Sequence, residues 1–358
     1  MRKVAVLSTG GTIATQRGVA HDGVSALLER LPAQPGVAID GVDVFCLGSY
    51  LLTPADMREV ARAVQEALTS DDVLGVVVTH GTDSMEETAF LTELFHADAR
   101  PVVFTGAQRP ADAPDSDGPR NLVDAITVAT ATAARDRGVL ITFDGQVFAA
   151  RGTRKTHTVA AAAFSAPDAG AIGRITAGTV EFMAKPDRLP PLRLADLDLD
   201  GVRVDVVACY PGADTVALDA VAGAGAGATG IVLETTGAGN ANPEIRDAVA
   251  RLTARGVVVA LSTRVHAGPV VELYGNGGGL DLVKAGAVPT GNLRPSQARV
   301  LLTALLGCYR DPVQAAEQLR IRSAPTSDSG CVPGTSCVPG SSPVSNGDRS
   351  PRRSRRST

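Results

Sequence analysis

The chain predicts an α/β fold: a larger amino-terminal domain with a mostly parallel, helix-covered sheet, and a smaller carboxy-terminal α/β domain with a parallel sheet. Three observations lead there. Short β-branched apolar runs recur and end in turn residues, helix-spaced segments alternate with them, and one proline-rich acidic stretch breaks the alternation.

The runs, in order, are VAVL (4–7), VDVFCLG (42–48), GVVVTHG (75–81), VVFTG (102–106), GVLITFDG (138–145), VDVVACYPG (204–212), GIVLETTG (230–237) and GVVVALSTR (256–264). Residues apolar in succession suit strands buried on both faces, the mark of parallel sheets. Between the runs, Met57, Val60, Ala61, Val64 and Leu68 follow helical spacing behind Thr53-Pro54. Ile245, Ala248, Val249 and Leu252 do the same behind Asn242-Pro243, and a last helix starts at Asp311-Pro312 and ends near Arg322. Proline suits the first helical position because the N–H it lacks has no intrahelical partner.

The stretch KPDRLPPLRLADLDLDG (185–201) reads as a linker between domains 1–184 and 202–322. Residues 323–358 are rich in Ser, Pro, Gly and Arg and repeat CVPG; they bury too little apolar surface to fold and read as a disordered tail.

At 358 residues, 44% hydrophobic and 20% charged, the chain is long enough for two globular cores. A formal net charge of -4 offers no purchase for nucleic acid or an anionic membrane outside the Arg-rich end. The five cysteines, Cys46, Cys209, Cys308, Cys331 and Cys337, form no C-x-x-C pair, so neither a metal site nor a disulfide framework is expected, and no cofactor motif is present. The start is too short for a signal-peptide core, and no apolar run reaches the roughly 18 to 20 residues of a membrane span. A cytoplasmic location is the expectation.

In parallel sheets ligands bind beyond the carboxyl ends of the strands. Four turns there are unusually polar: STGGT (8–12), LGSY (47–50), THGTD (79–83) and TGAQRP (105–110); RGTRKTHT (151–158) follows the hairpin-like FDGQVF. Together they supply hydroxyl groups, an aspartate, a lysine and glycine-freed N–H groups, an inventory for acyl transfer. Each piece also has a structural reading. Thr12 could merely order its turn. Asp83 with Glu86 looks like a helix cap and its partner, Asn242 like a plain N-cap, and His80 like a strand-end residue holding a turn. Gly10-Gly11 lacks the surroundings of a phosphate loop. Lys155 is one of only four lysines among 34 basic residues, and lysine, unlike arginine, can lose its proton near neutral pH when partly buried.

STGGTIA (8–14) and GVVVTHGTDSMEET (75–88) resemble the two signature motifs of the bacterial-type L-asparaginase family. The likeness continues through LGSYLLTPADM (47–57), TGAQRPADAPDSDGPRNL (105–122), RGTRKTHT (151–158), GAGNANPEI (237–245) and GNLRPSQARVLL (291–302), covering residues 1 to 320 in order. The resemblance implies hydrolysis of L-asparagine, and of L-glutamine in broader relatives, without metal or cofactor. It makes Thr12 the nucleophile forming a β-aspartyl ester, Thr82 the proton relay, Lys155 the base and Asp83 their partner. Ser49 and Asp83 would hold the substrate's α-carboxylate and α-ammonium groups, and the carbonyl of Ala107 would accept from the scissile amide. Gly11 and Tyr50 would line the substrate, the glycines letting backbone N–H groups approach it. The family's oligomers, dimers pairing into tetramers, complete each site with an asparagine, matched by Asn242, and an acid for which Glu272 is a candidate.

One departure stands out. The family's lid tyrosine after TGGTIA is missing from TQRGVAHDGVSALLERL, where Arg17 falls near its position, so Tyr50 or His21 is expected to substitute. Alternatives to an asparaginase are a glutaminase-asparaginase, an amidotransferase subunit, expected to carry an additional amino-terminal domain, and a silent amino-acid sensor, against which intact Thr12, Thr82, Asp83 and Lys155 argue.

Overall fold

The computed structural model describes residues 1–16, 19–20, 23–31, 37–223 and 227–324. Arg17, His21 and the tail from residue 325 lie outside them.

The first strand, β1 (Lys3–Gly10), is buried from Val4 onward and runs into a 3-10 turn over Thr12–Ala14. A two-residue ribbon, β2 (Thr15–Gln16) and β3 (Val19–Ala20), and helix α1 (Val24–Glu29) come next, then β4 (Ala38–Leu47). Helix α2 (Pro54–Ala67) opens with a full capping box: Thr53 Oγ1 accepts from Asp56 N, and the Asp56 carboxylate accepts from Thr53 N. The chain continues through β5 (Val73–Thr79), α3 (Met85–Phe95), β6 (Val102–Thr105), α4 (Gly118–Thr130), β7 (Val139–Phe143) and β8 (Gln146–Ala149). The FDGQ turn joins β7 and β8 as a hairpin, with positive φ at Asp144 and Gly145. Small pairs β9 (Arg154–Lys155) with β10 (Phe164–Ser165), and β11 (Gly173–Thr176) with β12 (Thr179–Phe182), finish this half.

Among the described residues eight of these strands form one sheet in the order β12-β11-β8-β7-β6-β5-β1-β4, and β2-β3 and β9-β10 stay as separate two-stranded pairs. Strands β4, β1, β5, β6 and β7 are parallel, and the remaining pairings are antiparallel. The chain leaves β1 for β4 on one side and then crosses back to β5 on the other. The carboxyl ends of β1 and β5 therefore flank the crevice where strand order reverses, the place an open α/β sheet offers a ligand.

The second half contains β13 (Val204–Ala208), α5 (Val216–Gly223), β14 (Gly230–Thr235), α6 (Pro243–Ala254), β15 (Val258–Thr263), α7 (Gly279–Lys284), β16 (Val288–Pro289), α8 (Pro295–Tyr309) and α9 (Pro312–Ser323). Its four strands are all parallel, in the order β13-β14-β15-β16. The helices expected behind Thr53-Pro54, Asn242-Pro243 and Asp311-Pro312 start where those signals place them, and α9 runs one residue beyond Arg322, so Ser323 belongs to the helix.

Two apolar runs are not buried on both faces. VDVFCLG and VDVVACYPG form β4 and β13, each with a single strand neighbour, and Val42 and Val206 are 47% and 41% exposed. An edge strand lacks the flanking layer that makes a central one wholly apolar.

Helix α3 has no exposed face: Met85, Glu86, Thr88, Ala89, Phe90, Leu91, Thr92, Leu94 and Phe95 are buried, and Glu87 and Glu93 are half-buried. The reason is position. Met85 and Ala89 pack on the large sheet, while Phe90, Leu91, Leu94 and Phe95 join Leu301 and Leu305 of α8 in a core shared by both halves. Residues 185–201 hold one 3-10 turn, Leu194–Asp196, and sink Leu192 and Leu197 into that same core. At roughly 1.5–3 kcal/mol for each large apolar side chain buried, this layer fixes one half against the other.

Candidate active site

The TGGT and HGTD turns meet because glycine lets their backbones touch. Gly11 has φ +82°, and a Cβ there would stand 2.3 Å from Gly81 N. Gly10, at φ +96°, would place one 2.6 Å from Leu47 N, so the LGSY turn closes in from the β4 side. A Cβ on Gly81 would meet Ser49 Oγ at 2.6 Å, and one on Gly106 would meet His80 O at 2.4 Å, which brings in the turn carrying Ala107. Four strand ends thus converge on the β1/β5 crevice. Replacing Gly11 with alanine should cut turnover by about 10²-fold, the effect expected when reacting groups are displaced by about an ångström. Steady-state kinetics on the folded variant checks this; a near-normal rate would mean the contact is dispensable.

Gly11 N–H donates to Leu47 O at 3.1 Å, and its missing side chain permits the backbone contact with Gly81.

Side chains complete the cluster. Lys155 Nζ donates to Thr82 Oγ1 at 2.8 Å and to Asp83 Oδ1 at 2.7 Å. The lysine side chain is 17% exposed and the aspartate 55%. Thr82 Oγ1 in turn donates to Gln108 Oε1 at 3.1 Å. Ser49 Oγ accepts from Asp83 N at 3.2 Å, and Ser84 Oγ donates to Ser49 O at 2.7 Å, tying the LGSY turn to the HGTD turn. Thr12, half-buried, comes directly after Gly11 and opens its 3-10 turn. Ala107 is fully buried, whereas the Tyr50 ring is 75% exposed beside Ser49.

The capping reading of Asp83 and Glu86 fails. Ser84 precedes α3, and Asp83 turns its carboxylate to Lys155. Glu86 instead accepts from Lys155 N through Oε2 and from Ser296 Oγ through Oε1, both at 2.6 Å. Beside Ser296, the buried Gln297 accepts from Gly152 N at 2.8 Å and donates to Glu86 O, Ala150 O and Thr153 O. The amino end of α8 therefore holds the loop that carries Lys155. Sequence reasoning missed Glu86, Gln108, Ser296 and Gln297 as site residues although all four fall inside the motif segments; nothing in a motif tells a positioning amide from a reacting group.

Asn242 remains away from this network. It caps α6, with Oδ1 accepting from Ile245 N and Nδ2 donating to Ala213 O, and Glu272 is exposed on the same half of the chain. Among the described residues no group of three or more His, Cys, Asp or Glu side chains converges as a metal-ligand set.

His80 holds its turn as expected: fully buried, with Nδ1 against Gly81 O at 2.7 Å. Burial pushes its pKa down from 6.5 to about 4, opposed by that carbonyl contact. His96 is likewise lowered to about 4, by burial first and then the Arg188 cation. Both are neutral when folded and gain protons near 6.5 when unfolded, so the unfolded state binds more protons between those values. Stability should fall as pH drops from 6.5 to about 4 and take no further loss from these groups below that. Urea midpoints across that range test this, and His96→Gln should remove about half of the histidine slope.

Comparison with known proteins gives the family. Residues 3–188 match the family described as Asparaginase, N-terminal, and residues 203–319 the Glutaminase/Asparaginase C-terminal domain. A probable L-asparaginase of Deinococcus radiodurans is 39% identical over 324 residues, 87% of this chain and 96% of that protein. A probable periplasmic L-asparaginase of Haemophilus influenzae is 33% identical, over 86% of this chain and 90% of its own length. The crystal structure of a probable cytoplasmic L-asparaginase from Campylobacter jejuni superposes with a TM-score of 0.78 at 31% identity, covering 89% of this chain and 99% of that one. With both halves matched in order and a crevice built from the turns that carry the motifs, the chain belongs to the L-asparaginase family of amidohydrolases.

Proposed function

We propose that this protein hydrolyses the side-chain amide of L-asparagine, giving L-aspartate and ammonia through a threonine ester. The observation that carries the reading is the Lys155–Thr82–Asp83 network at the strand crossover, beside the Gly11–Gly81 contact of the turn that presents Thr12. A threonine hydroxyl is a weak nucleophile at neutral pH and needs a base within reach. Thr82 supplies the link. It takes the Thr12 proton on oxygen while passing its own hydrogen, donated to Gln108 Oε1 at rest, to Lys155 Nζ, the base, 2.8 Å away. Thr12 Oγ bonds to the amide carbon, the proton held on Lys155 returns through Thr82 to the amide nitrogen, and the tetrahedral adduct collapses with cleavage of the C–N bond to release ammonia. Water then cleaves the ester by the same relay and restores Thr12.

Ser49 and the half-exposed Asp83 take the α-carboxylate and α-ammonium groups, Ala107 O accepts from the amide nitrogen, and Gly11 and Tyr50 border the substrate. Residues 1–184 are the catalytic domain in this reading, and 202–322 serve a neighbouring copy in a dimer or tetramer, offering Asn242 and Glu272. The protein acts in the cytoplasm, although the Haemophilus relative's name places that protein in the periplasm. Glutamine is a second substrate candidate because the carboxy-terminal family is described for both activities.

Ammonia release from L-asparagine and L-glutamine by the purified full chain tests the reading. A kcat/KM for asparagine well above that for glutamine supports it. Comparable values favour the broader enzyme, and binding without release from either amide points to a sensor.

A further inference from the structure

Behind the catalytic lysine lies a second cluster that the proposed reaction does not use. Arg154 precedes Lys155 in β9, and successive strand residues face opposite sides, so Arg154 turns away from Thr82 and Asp83. Its Nε and Nη1 are buried and have no partner among the described residues. Arg294, the residue capping the 15-residue helix α8, is 3% exposed. Its Nη2 donates to Gly268 O at 2.6 Å and its Nε to His266 O at 3.3 Å, but its Nη1 is also buried and unpartnered.

Both arginines adjoin the segment from Ser165 to Asp168. Arg154 pairs with Ser165 across β9 and β10, and three residues later Asp168 Oδ2 lies 3.6 Å from Arg294 Nη2. Burial depresses the Arg294 pKa, Asp168 opposes that, and the Arg154 cation adds to the depression. The one carboxylate beside Arg294, Asp168, is already accepting from Gly268 N at 2.7 Å. Three charged donor atoms buried without acceptors, on like charges held together, form an arrangement that a protein tolerates when a counter-ion fills it.

We propose that a small oxoanion of the phosphate or sulfate class binds between Arg154 and Arg294, accepting from Arg154 Nε and Nη1 and from Arg294 Nη1. Forked guanidinium donors suit tetrahedral oxygens, and the amino end of α8 adds a favourable dipole. Asp168 at the rim disfavours larger polyanions. The site spans the two halves of the chain and abuts the strand of the catalytic lysine, so its occupant braces β9 from the side opposite the substrate.

The test is calorimetric titration of the full-length protein with inorganic phosphate at constant ionic strength, alongside thermal unfolding, with sodium chloride as the control salt. Wild-type protein should show one saturable site and a midpoint that climbs with phosphate concentration. Sulfate should compete, and chloride should not. Arg154→Gln should weaken phosphate binding by at least about tenfold, the value of one charge-assisted hydrogen-bonding group. Arg154→Lys, which keeps the charge but loses the fork, should fall between them, and phosphate-free unfolding shows whether either variant remains folded. Absence of saturable binding to wild type overturns the proposal, as does an Arg154→Gln variant that binds phosphate as tightly as wild type.

Discussion

Thr12→Ala should release ammonia from L-asparagine at least about 10³-fold more slowly than the wild-type protein, because removal of a nucleophile leaves only the residual effect of binding and positioning. Among the described residues no hydrogen bond holds the Thr12 hydroxyl. The turn is held by Ala14 N donating to Gly11 O at 3.0 Å and by Gly11 N donating to Leu47 O, both backbone bonds. The substitution also removes a branched side chain from a half-buried position, which Ile13 and Ala14, both in the core, anchor without it. The unfolding midpoint should therefore stay close to wild type while turnover disappears. Thr12→Ser retains the hydroxyl and should recover part of the rate. A Thr12→Ala variant within tenfold of wild type would move the nucleophile elsewhere.

Lys155→Met should lower kcat by about 10²- to 10⁴-fold, the range for a positioned general base. Two effects are mixed in that loss, since Lys155 Nζ also holds Asp83 Oδ1 at 2.7 Å. Lys155→Arg separates them. Arginine keeps a cation beside Asp83 but cannot give up its proton near neutral pH. If Lys155 is the base, arginine restores KM more than kcat; if it only orients Asp83, both recover together.

Periodicity and local punctuation made much of the fold legible in the sequence. Thr53-Pro54, Asn242-Pro243 and Asp311-Pro312 each begin a helix, because a cap and a proline act locally. Central strands such as GIVLETTG were legible from unbroken apolar runs, whereas β4 and β13 carry similar runs on sheet edges, a matter of strand order that composition does not encode. Helix α3 lacks an amphipathic pattern since a second layer, α8, arrives from 200 residues further along the chain. The motif resemblance picked out Ser49, Thr82, Asp83 and Lys155, which hydrogen bonds link directly or in sequence. It missed Glu86 and Gln297, whose task is to connect α3, the Lys155 loop and α8, because a long-range hydrogen bond leaves no local spacing to read. The same distance explains Arg154 and Arg294, ordinary basic residues in sequence that become a pair of buried donors only when the halves meet.

The most direct measurement is rapid acid quench of the protein during turnover of L-asparagine, then mass spectrometry of its peptides. A covalent aspartyl group on the peptide bearing Thr12, absent from the unreacted protein and from Thr12→Ala, is the predicted result. Ammonia release with the adduct on any other residue would contradict the threonine-ester account.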